Sequence, residues 1–325
     1  MAPGIGIGIG IGRGGGGSPW PSYWTTLISA TVETAAPTHV VLTFPDPAAL
    51  VAADLTATVN GVARAVSSAS WTGSVWTAVL ASAVEYGDVV VVTFVPSGGT
   101  AAVTNNITHP LVIEDGNTVA WYDSSDLTTI TKDGSDLVSR WNDKLLSGHD
   151  LIQATGTNQP LWVVNDGVLF DGVDNWMRTA DFAYNVPEKV YLVFRQITWT
   201  PSDRIIDGSS NQRMALQQYS STPIIIAFTS GGDAVANNNA ALNTFVIVRA
   251  LFANPGKFQI NNTAAVTGNF GTTNAGAITL GASGIGTANG HCQFKEAIFR
   301  DIADSAGDEV AIYNYLATKY GFATI

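Results

Sequence analysis

Hydrophobic and polar residues alternate at period two along much of this chain, a pattern typical of β-strands with one buried face. Between residues 27 and 95, turn-forming pairs such as Asn60-Gly61 and Thr72-Gly73 interrupt the alternation at short, regular intervals. The strand segments predicted here are 27–32, 39–44, 56–66 (split by Asn60-Gly61), 67–80 (split by Thr72-Gly73) and 89–95. Short strands at this rhythm predict a β-sandwich.

A second strand-rich region follows a polar linker that ends at His109-Pro110. Its clearest segments are 189–194, 245–251, 257–261, 278–281 and 294–299, most of them alternating or wholly apolar. Two packed sheets require this kind of pattern. The stretch 230–242, rich in Gly, Ala and Asn, fits no strand pattern that we can assign.

One helix is predicted near the C-terminus, from about Ser305 to Tyr320. Ser305 and Asp308 have the spacing of an N-terminal capping box, and Gly321 supplies a stop signal. The predicted buried stripe consists of Val310, Tyr313, Leu316, Ala317 and Tyr320. The whole chain is therefore predicted to be all-β with one short C-terminal helix.

The N-terminus has a different pattern, because residues 4–12 alternate glycine with isoleucine. Ile5, Ile7, Ile9 and Ile11 lie on one face of an extended strand. Burying them yields roughly 6 to 12 kcal/mol, whereas fixing the glycine-rich backbone costs roughly 9 to 18 kcal/mol. The strand therefore needs partner strands, and an anchoring arm is predicted, with Trp20 at the Pro-rich hinge. A low-complexity tail is the alternative.

Composition narrows the function further. Charged residues make up 13% of the chain and the net charge is −11, so the basic surface that nucleic-acid binding requires is missing. One cysteine, Cys292, and four histidines form neither an intrachain disulfide nor a Cys/His metal cluster, and Cys292 is predicted to be buried in a strand. No run of about 20 apolar residues predicts membrane insertion.

Two stretches resemble known modules. Residues 28–33, 37–44 and 85–94 resemble the bacterial surface immunoglobulin-like repeats that also decorate phage fibres. From Thr118 onward the chain resembles the concanavalin/laminin-G-like jelly roll of phage and bacterial surface proteins. The motifs are Ala120-Trp121-Tyr122-Asp123, residues 138–144 and residues 168–177.

These resemblances imply an anchoring arm and hinge (1–23), an Ig-like β-sandwich (24–109) and a lectin-like jelly roll (110–325). With the arm, they predict a structural phage protein on the virion surface: a head fibre, decoration or collar protein. Its expected partners are capsid or neck proteins, bound through the arm, and further copies of itself. The alternative is a glycan-binding adhesin for host attachment.

The sequence contains no recognisable catalytic motif, so it predicts no enzyme and no cofactor. Glycosidases with this kind of sandwich contain the motif Glu-x-Asp-x-x-Glu on one strand, because two carboxylates must flank the scissile bond. Glu296 has Arg300 and Asp301 downstream, in the wrong register. No G-x-S-x-G elbow is present.

Two kinds of binding site remain as predictions. Aromatic side chains on loops or concave faces suit glycans, and the candidates are Trp162, Trp176, Tyr184, Trp199 and Tyr219. Asp171 and Asp174 are weak Ca²⁺ candidates. The favoured interpretation of Asp171-Gly172 is a tight turn in which the aspartate side chain bonds its own backbone, and Asp123, Ser124 and Asp126 are interpreted in the same way.

Overall fold

The computed structural model describes residues 27–45, 51–95, 98–220 and 224–325. Nearly all regular structure in these residues is β, and an α-helix lies close to the C-terminus. The chain divides into two compact units between Leu111 and Val112. The all-β prediction with one C-terminal helix is confirmed in the described residues, whereas the predicted arm, with Ile5, Ile7, Ile9, Ile11 and Trp20, lies outside them.

The first unit contains eight described strands. They are β1 (Ser29–Glu33), β2 (Ala36–Thr43), β3 (Leu55–Val59), β4 (Val62–Arg64), β5 (Val66–Thr72), β6 (Val75–Leu80), β7 (Val90–Phe94) and β8 (Gly99–Asn106). Hydrogen bonds join them in the order β4-β3-β7-β8-β1-β2-β6-β5. Strands β1 and β8 run parallel, and the other described neighbours are antiparallel.

Alternation along these strands produces the core of the first unit. Every second residue of β6 and β7 is buried, which turns one face inward. Val32, Leu42, Trp76 and Val92 have no exposed surface. The β3–β4 turn has positive φ angles at Asn60 and Gly61, 52° and 78°, which is the geometry that an Asn-Gly hairpin favours.

The second unit has two sheets, of nine and eight strands. The nine-stranded sheet is ordered β10-β11-β12-β15-β24-β17-β18-β19-β20, with bounds β10 (Ile130–Lys132), β11 (Val138–Trp141), β12 (Leu151–Ile152), β15 (Met177–Arg178), β17 (Arg204–Asp207), β18 (Ala215–Gln218), β19 (Ile225–Phe228), β20 (Val235–Asn237) and β24 (Thr279–Leu280). The stretch 230–242, which the sequence left unassigned, supplies the edge strand β20 of this sheet.

The eight-stranded sheet carries the candidate site. Its order is β13-β14-β25-β16-β21-β22-β23, with β9 also paired to β25. The bounds are β9 (Thr118–Asp123), β13 (Leu161–Val163), β14 (Gly167–Asp171), β16 (Glu188–Gln196), β21 (Val246–Phe252), β22 (Gly256–Ile260), β23 (Val266–Gly268) and β25 (His291–Arg300). One continuous cluster of buried apolar side chains takes residues from both sheets, including Trp141, Phe170, Leu216 and Phe294.

The helix α1 (Ala306–Tyr320) begins and ends where the sequence predicts. Ser305 Oγ accepts a hydrogen bond from the Asp308 backbone N–H at 3.2 Å, and Gly321 closes the helix with a φ of 77°. The predicted buried stripe is wrong at its first member. Val310 is 38% exposed, and its neighbour Glu309 is buried instead.

Glu309 is buried because three cations on the sheet face it. Its carboxylate lies 3.0 Å from Lys189 Nζ on β16, 3.2 Å from Arg249 Nη1 on β21 and 2.9 Å from Lys257 Nζ on β22. Burial alone would raise the pKa of Glu309, but Lys189 and Lys257 outweigh it and the pKa is lowered. This cluster fixes α1 to the outer face of the eight-stranded sheet.

Candidate functional site

The site begins at a β-bulge in β25. Val193 of β16 pairs with Glu296, and the next residue, Phe194, pairs with Phe294, so Lys295 is the extra residue. Phe294 and Ala297 both belong to the core cluster, which leaves Lys295 and Glu296 directed to the opposite face. Bulges re-aim side chains in this way and are common beside functional sites.

Gly167, at the start of β14, makes room for the bulge. A Cβ atom at this position would lie 2.1 Å from the carbonyl oxygen of Phe294, and the φ of Gly167 is +102°. Both observations require glycine here. Strand β14 can therefore pair with β25 up to the bulge, and β9 pairs with β25 beyond it.

Two carboxylates lie side by side just beyond the bulge. Asp123, the last residue of β9, is the direct pairing partner of Glu296 on β25. Directly opposed residues on antiparallel strands project to the same face. Lys319 Nζ, near the end of α1, is 2.7 Å from Asp123 Oδ2 and 2.7 Å from Glu296 Oε2. The two oxygens are therefore separated by no more than twice that distance.

Glu296 is fully buried and accepts four hydrogen bonds. Oε1 accepts from Trp121 Nε1 at 2.7 Å and from the Tyr315 hydroxyl at 3.0 Å. Oε2 accepts from Lys319 Nζ at 2.7 Å and from the Tyr320 hydroxyl at 2.8 Å. Burial, with some help from the charge of Asp123, raises the pKa of Glu296 despite the neighbouring Lys319.

Asp123 has the opposite pKa shift. Its Oδ1 accepts hydrogen bonds from the backbone N–H and the hydroxyl of Ser125, and its Oδ2 accepts from Lys144 and Lys319. Burial opposes the charged form, but Lys319, Ser125 and Lys144 together lower the pKa of Asp123. Two adjacent carboxyl groups with pKa values moved apart are the arrangement that acid–base chemistry uses.

A cavity of about 430 Å³ lies next to this pair. Its wall is formed by the segment after β9, the β13–β14 turn, the bulge and the end of α1. The lining residues are Ser124, Ser125, Leu127, Trp162, Val164, Asn165, Gly167, Lys295, Lys319 and Tyr320. The wall thus combines aromatic rings, hydroxyl groups, an amide and two ammonium groups, while Asp123 and Glu296 lie behind it.

Trp162 is the one predicted glycan-binding aromatic in the cavity wall. Its Nε1 donates to the Ser124 carbonyl at 3.3 Å, and Lys132 Nζ lies 4.8 Å from its ring centroid. Tyr320, which the sequence assigned to the core face of α1, is only partly buried and supplies the second aromatic ring. The indole is therefore held in place by β13 and the segment after β9.

The other predicted aromatics lie away from this cavity. Tyr184 has no exposed surface, and its hydroxyl donates to backbone carbonyls in the core. Trp176 is partly buried beside Gly286. Trp199 donates from Nε1 to the Tyr219 carbonyl at 3.0 Å, and Tyr219 is 44% exposed, so these two form a separate aromatic surface.

Asp171 stabilises the turn that follows β14. Its Oδ1 accepts hydrogen bonds from the backbone N–H groups of Val173, Asp174 and Asn175, which closes the turn after β14. Within the described ranges, no group of three or more His, Cys, Asp or Glu residues has an arrangement that could hold a metal ion. Cys292 is 1% exposed, and burial raises the pKa of its thiol.

Sequence reasoning missed most of this site. Asp123 does accept a hydrogen bond from the Ser125 backbone N–H, as the turn interpretation expects, but the sequence does not predict its pairing with Glu296. The available signal was Lys295-Glu296, two consecutive charges inside the apolar segment 294–299. Strict alternation cannot place both on one face, so this pair points to a bulge.

Comparisons with known proteins bear on the fold. No protein-family model matches the sequence, and no curated protein matches it either. Among solved structures, an α-L-arabinofuranosidase of family GH54, soaked with a cyclic sulfate inhibitor, is similar with a TM-score of 0.50 and 14% identity over 63% of this chain and 64% of that one.

Within the described ranges, no helix has the length and apolar content that crossing a membrane demands.

A sialidase from Trypanosoma rangeli is also similar, with a TM-score of 0.48 and 10% identity over 90% of this chain and 53% of that chain. This chain thus spans about half the length of the sialidase. At 14% identity, the likeness to the arabinofuranosidase describes a fold and assigns no substrate.

The expectation that the chain is not an enzyme is corrected by the likeness to the arabinofuranosidase, a glycoside hydrolase that is similar in fold over 63% of this chain. The motif Glu-x-Asp-x-x-Glu places its carboxylates on a single strand. Two carboxylates can also come from neighbouring strands, as Asp123 and Glu296 do. Absence of the one-strand motif therefore does not exclude catalysis.

Proposed function

We propose that the second unit binds a carbohydrate in the cavity beside Trp162, and that the protein displays this unit for attachment to a glycan-bearing surface. The observation that carries the proposal is the cavity wall, which combines aromatic rings with hydroxyl, amide and ammonium groups. Its volume falls within the range of about 300 to 1,000 Å³ that small-molecule sites have. Sugars have apolar ring faces and polar edges, which this combination suits.

The decisive experiment compares two tryptophans in the full chain. Trp162→Ala removes the indole from the cavity wall, whereas Trp199→Ala removes a partly buried indole outside it. Binding is measured by a saccharide array followed by calorimetry, with thermal unfolding as the control for folding. We expect Trp162→Ala to weaken binding by roughly tenfold or more and Trp199→Ala to leave it unchanged. The reverse pattern, or no binding to any saccharide, contradicts the proposal.

The finer fold assignments belong to the same proposal. The first unit is proposed to be Ig-like, which its parallel β1–β8 pairing between two antiparallel groups of strands supports. The second is proposed to be a concanavalin/laminin-G-like jelly roll, supported by two large sheets that share one core.

A virion role for residues 4–12 is proposed alongside carbohydrate binding. The described residues of each unit contain a buried apolar cluster of their own, which supports a body that folds without the glycine-isoleucine segment. If that segment anchors the protein to capsid or neck proteins, deleting residues 1–17 leaves a folded, carbohydrate-binding protein that no longer incorporates into particles. Normal incorporation of the deletion variant contradicts this role.

Glycoside hydrolysis is a second candidate function, favoured by the paired carboxylates. Retaining glycosidases place two carboxyl groups about 5 to 5.5 Å apart, a separation that the shared contact with Lys319 allows. Glu296, with its raised pKa, suits the acid, and Asp123, with its lowered pKa, suits the ionised partner. Lys319 and Tyr320 would have to move from Glu296 when substrate enters.

Hydrolysis is tested on every saccharide that binds, by measuring new reducing ends. Asp123→Asn and Glu296→Gln are expected to abolish release while the protein remains folded by circular dichroism. Arg140→Gln, a change of one charge at an exposed ion pair with Asp150, serves as the control. If both carboxylate variants released reducing ends at the wild-type rate, Asp123 and Glu296 would not be the catalytic pair.

A further inference from the structure

The charged side chains that line the cavity have one sign only. Among the described residues, Lys295 and Lys319 form part of the wall, and no carboxylate does. The whole chain has a net charge of −11, so a cationic wall is the opposite of what overall composition favours. We propose that the cavity selects an anionic saccharide, and that Lys295 binds its carboxylate or sulfate group. This inference rests on the proposed carbohydrate binding and adds the ligand class.

Lys319 is not available as a donor to a ligand. Its Nζ already contacts Asp123 Oδ2 at 2.7 Å, Glu296 Oε2 at 2.7 Å and the Tyr315 hydroxyl at 3.2 Å. An ammonium group has three N–H donors, and these three contacts use them. Lys319 therefore holds the two carboxylates behind the wall.

Lys295 is the ammonium that remains available. In the described part of the chain, Lys295 forms an ion pair with Asp166, whose Oδ1 is 3.9 Å from Nζ. That distance is too long for a hydrogen bond. Asp166 is also held by Arg195, at 2.6 Å from its other oxygen. The donors of Lys295 are therefore free to bind an incoming oxyanion.

The surroundings of Lys295 fix its position. Its Nζ lies 4.3 Å from the ring centroid of Phe245 and 5.8 Å from that of Tyr320, distances at which an aromatic face attracts a cation. The bulge directs its side chain to the same side of the sheet as Glu296. An ammonium group that is held in position selects an anionic ligand more strongly than a flexible surface lysine does, because less side-chain freedom is lost on binding.

The acidic groups near the cavity are either covered or paired. Glu296 has no exposed surface and Asp123 is 3% exposed, and both bond to Lys319. Asp126 lies 3.4 Å from Lys144. Lys319 thus reduces like-charge repulsion between the buried pair and an anionic ligand in the cavity.

The test uses pairs of saccharides that share a sugar skeleton and differ in an anionic group. The pairs are trigalacturonate and its methyl ester, sialyllactose and its methyl ester, and dextran sulfate and dextran. Full-length wild type is compared with Lys295→Gln, with Lys295→Arg, which keeps the charge, and with Arg140→Gln, which removes one exposed positive charge elsewhere. Affinity is measured by calorimetry at two salt concentrations.

We expect wild type to prefer the charged member of at least one pair, with an affinity that falls as salt rises. Lys295→Gln should weaken binding of that member by about 10- to 100-fold, with Lys295→Arg restoring much of it and Arg140→Gln changing little. Equal binding of charged and neutral members overturns the anionic preference and leaves carbohydrate binding standing. Binding of no saccharide contradicts the proposed function itself.

Discussion

The two units of this protein bury different kinds of side chain. Among the described residues of the first unit, no Asp, Glu, Lys or Arg is buried, and the core is apolar. The second unit buries charges on both sheets, including Lys189, Arg204, Asp207, Glu296 and Arg300. A sandwich made only of alternating strands needs one apolar face per sheet, whereas packing a helix on an outer face covers positions that would otherwise be solvated.

The buried charges under α1 therefore lie where the helix covers the outer face of the eight-stranded sheet. Taking charges out of water costs several kcal/mol per ion, and a buried ion pair often stabilises no more than apolar residues of equal volume. Such clusters fix position more than they add stability. At Glu309 the cluster is surrounded by sheet and helix, whereas at Glu296 it borders a cavity. The second arrangement is the one suited to function.

The largest expected effect comes from breaking the closed cluster. Glu309→Gln leaves Lys189 and Arg249 buried without a counter-ion, and we expect the second unit to lose about 3 to 5 kcal/mol of unfolding free energy. Glu33→Gln, an exposed site on the first unit, should change stability by less than about 0.5 kcal/mol. Urea denaturation measures both. A small effect at Glu309 would mean that the cluster contributes nothing to helix packing.

A cavity in the apolar core of the first unit gives the next effect. Leu42→Ala removes a fully buried side chain, and we expect the first unit to lose about 2 to 5 kcal/mol. Carbohydrate binding should remain unchanged, because that site belongs to the second unit. If the variant lost binding while the second unit stayed folded, the assignment of function to one unit would fail.

Over a single pH unit, the smallest effect is a pH dependence confined to the second unit. Burial raises the pKa of Glu188 to about 8, and its Oε2 has no hydrogen-bond partner among the described residues. The folded state therefore holds this proton between about pH 4.5 and pH 8, where the unfolded chain releases it, so stability falls as pH rises through that window. The slope is at most about 1.4 kcal/mol per pH unit.

Glu188→Gln should reduce that decline. Urea denaturation at pH 5, 6, 7 and 8 compares the variant with wild type, and unfolding of the first unit provides the internal reference. Equal declines in the variant and in wild type would show that Glu188 is not the source of the pH dependence.

Local sequence signals predicted the parts of the fold that depend on neighbouring residues. Ser305 and Gly321 bound the helix, and Asn60-Gly61 forms its hairpin turn, because capping and turn geometry are local. The buried face of α1 was shifted at Val310, since only the folded sheet brings three cations to Glu309. Helical periodicity alone assigns such a position to solvent.

The candidate site was less predictable for the same reason. Trp162 was identified from its residue type, and its place in a cavity wall depends on the β13–β14 hairpin. Asp123 and Glu296 are far apart in sequence and meet only through the β9–β25 register. The bulge in the β16–β25 pairing, for which Gly167 leaves space, then places Lys295 on the same side of the sheet as this pair.

Direct observation of a bound saccharide tests the central claim most clearly. The full-length protein is crystallised with the saccharide that binds it most tightly. Our account predicts density for the sugar in the cavity, against Trp162, with an anionic group within hydrogen-bond distance of Lys295 Nζ. Sugar density at another surface, such as Trp199 and Tyr219, with the cavity free of sugar, would contradict it.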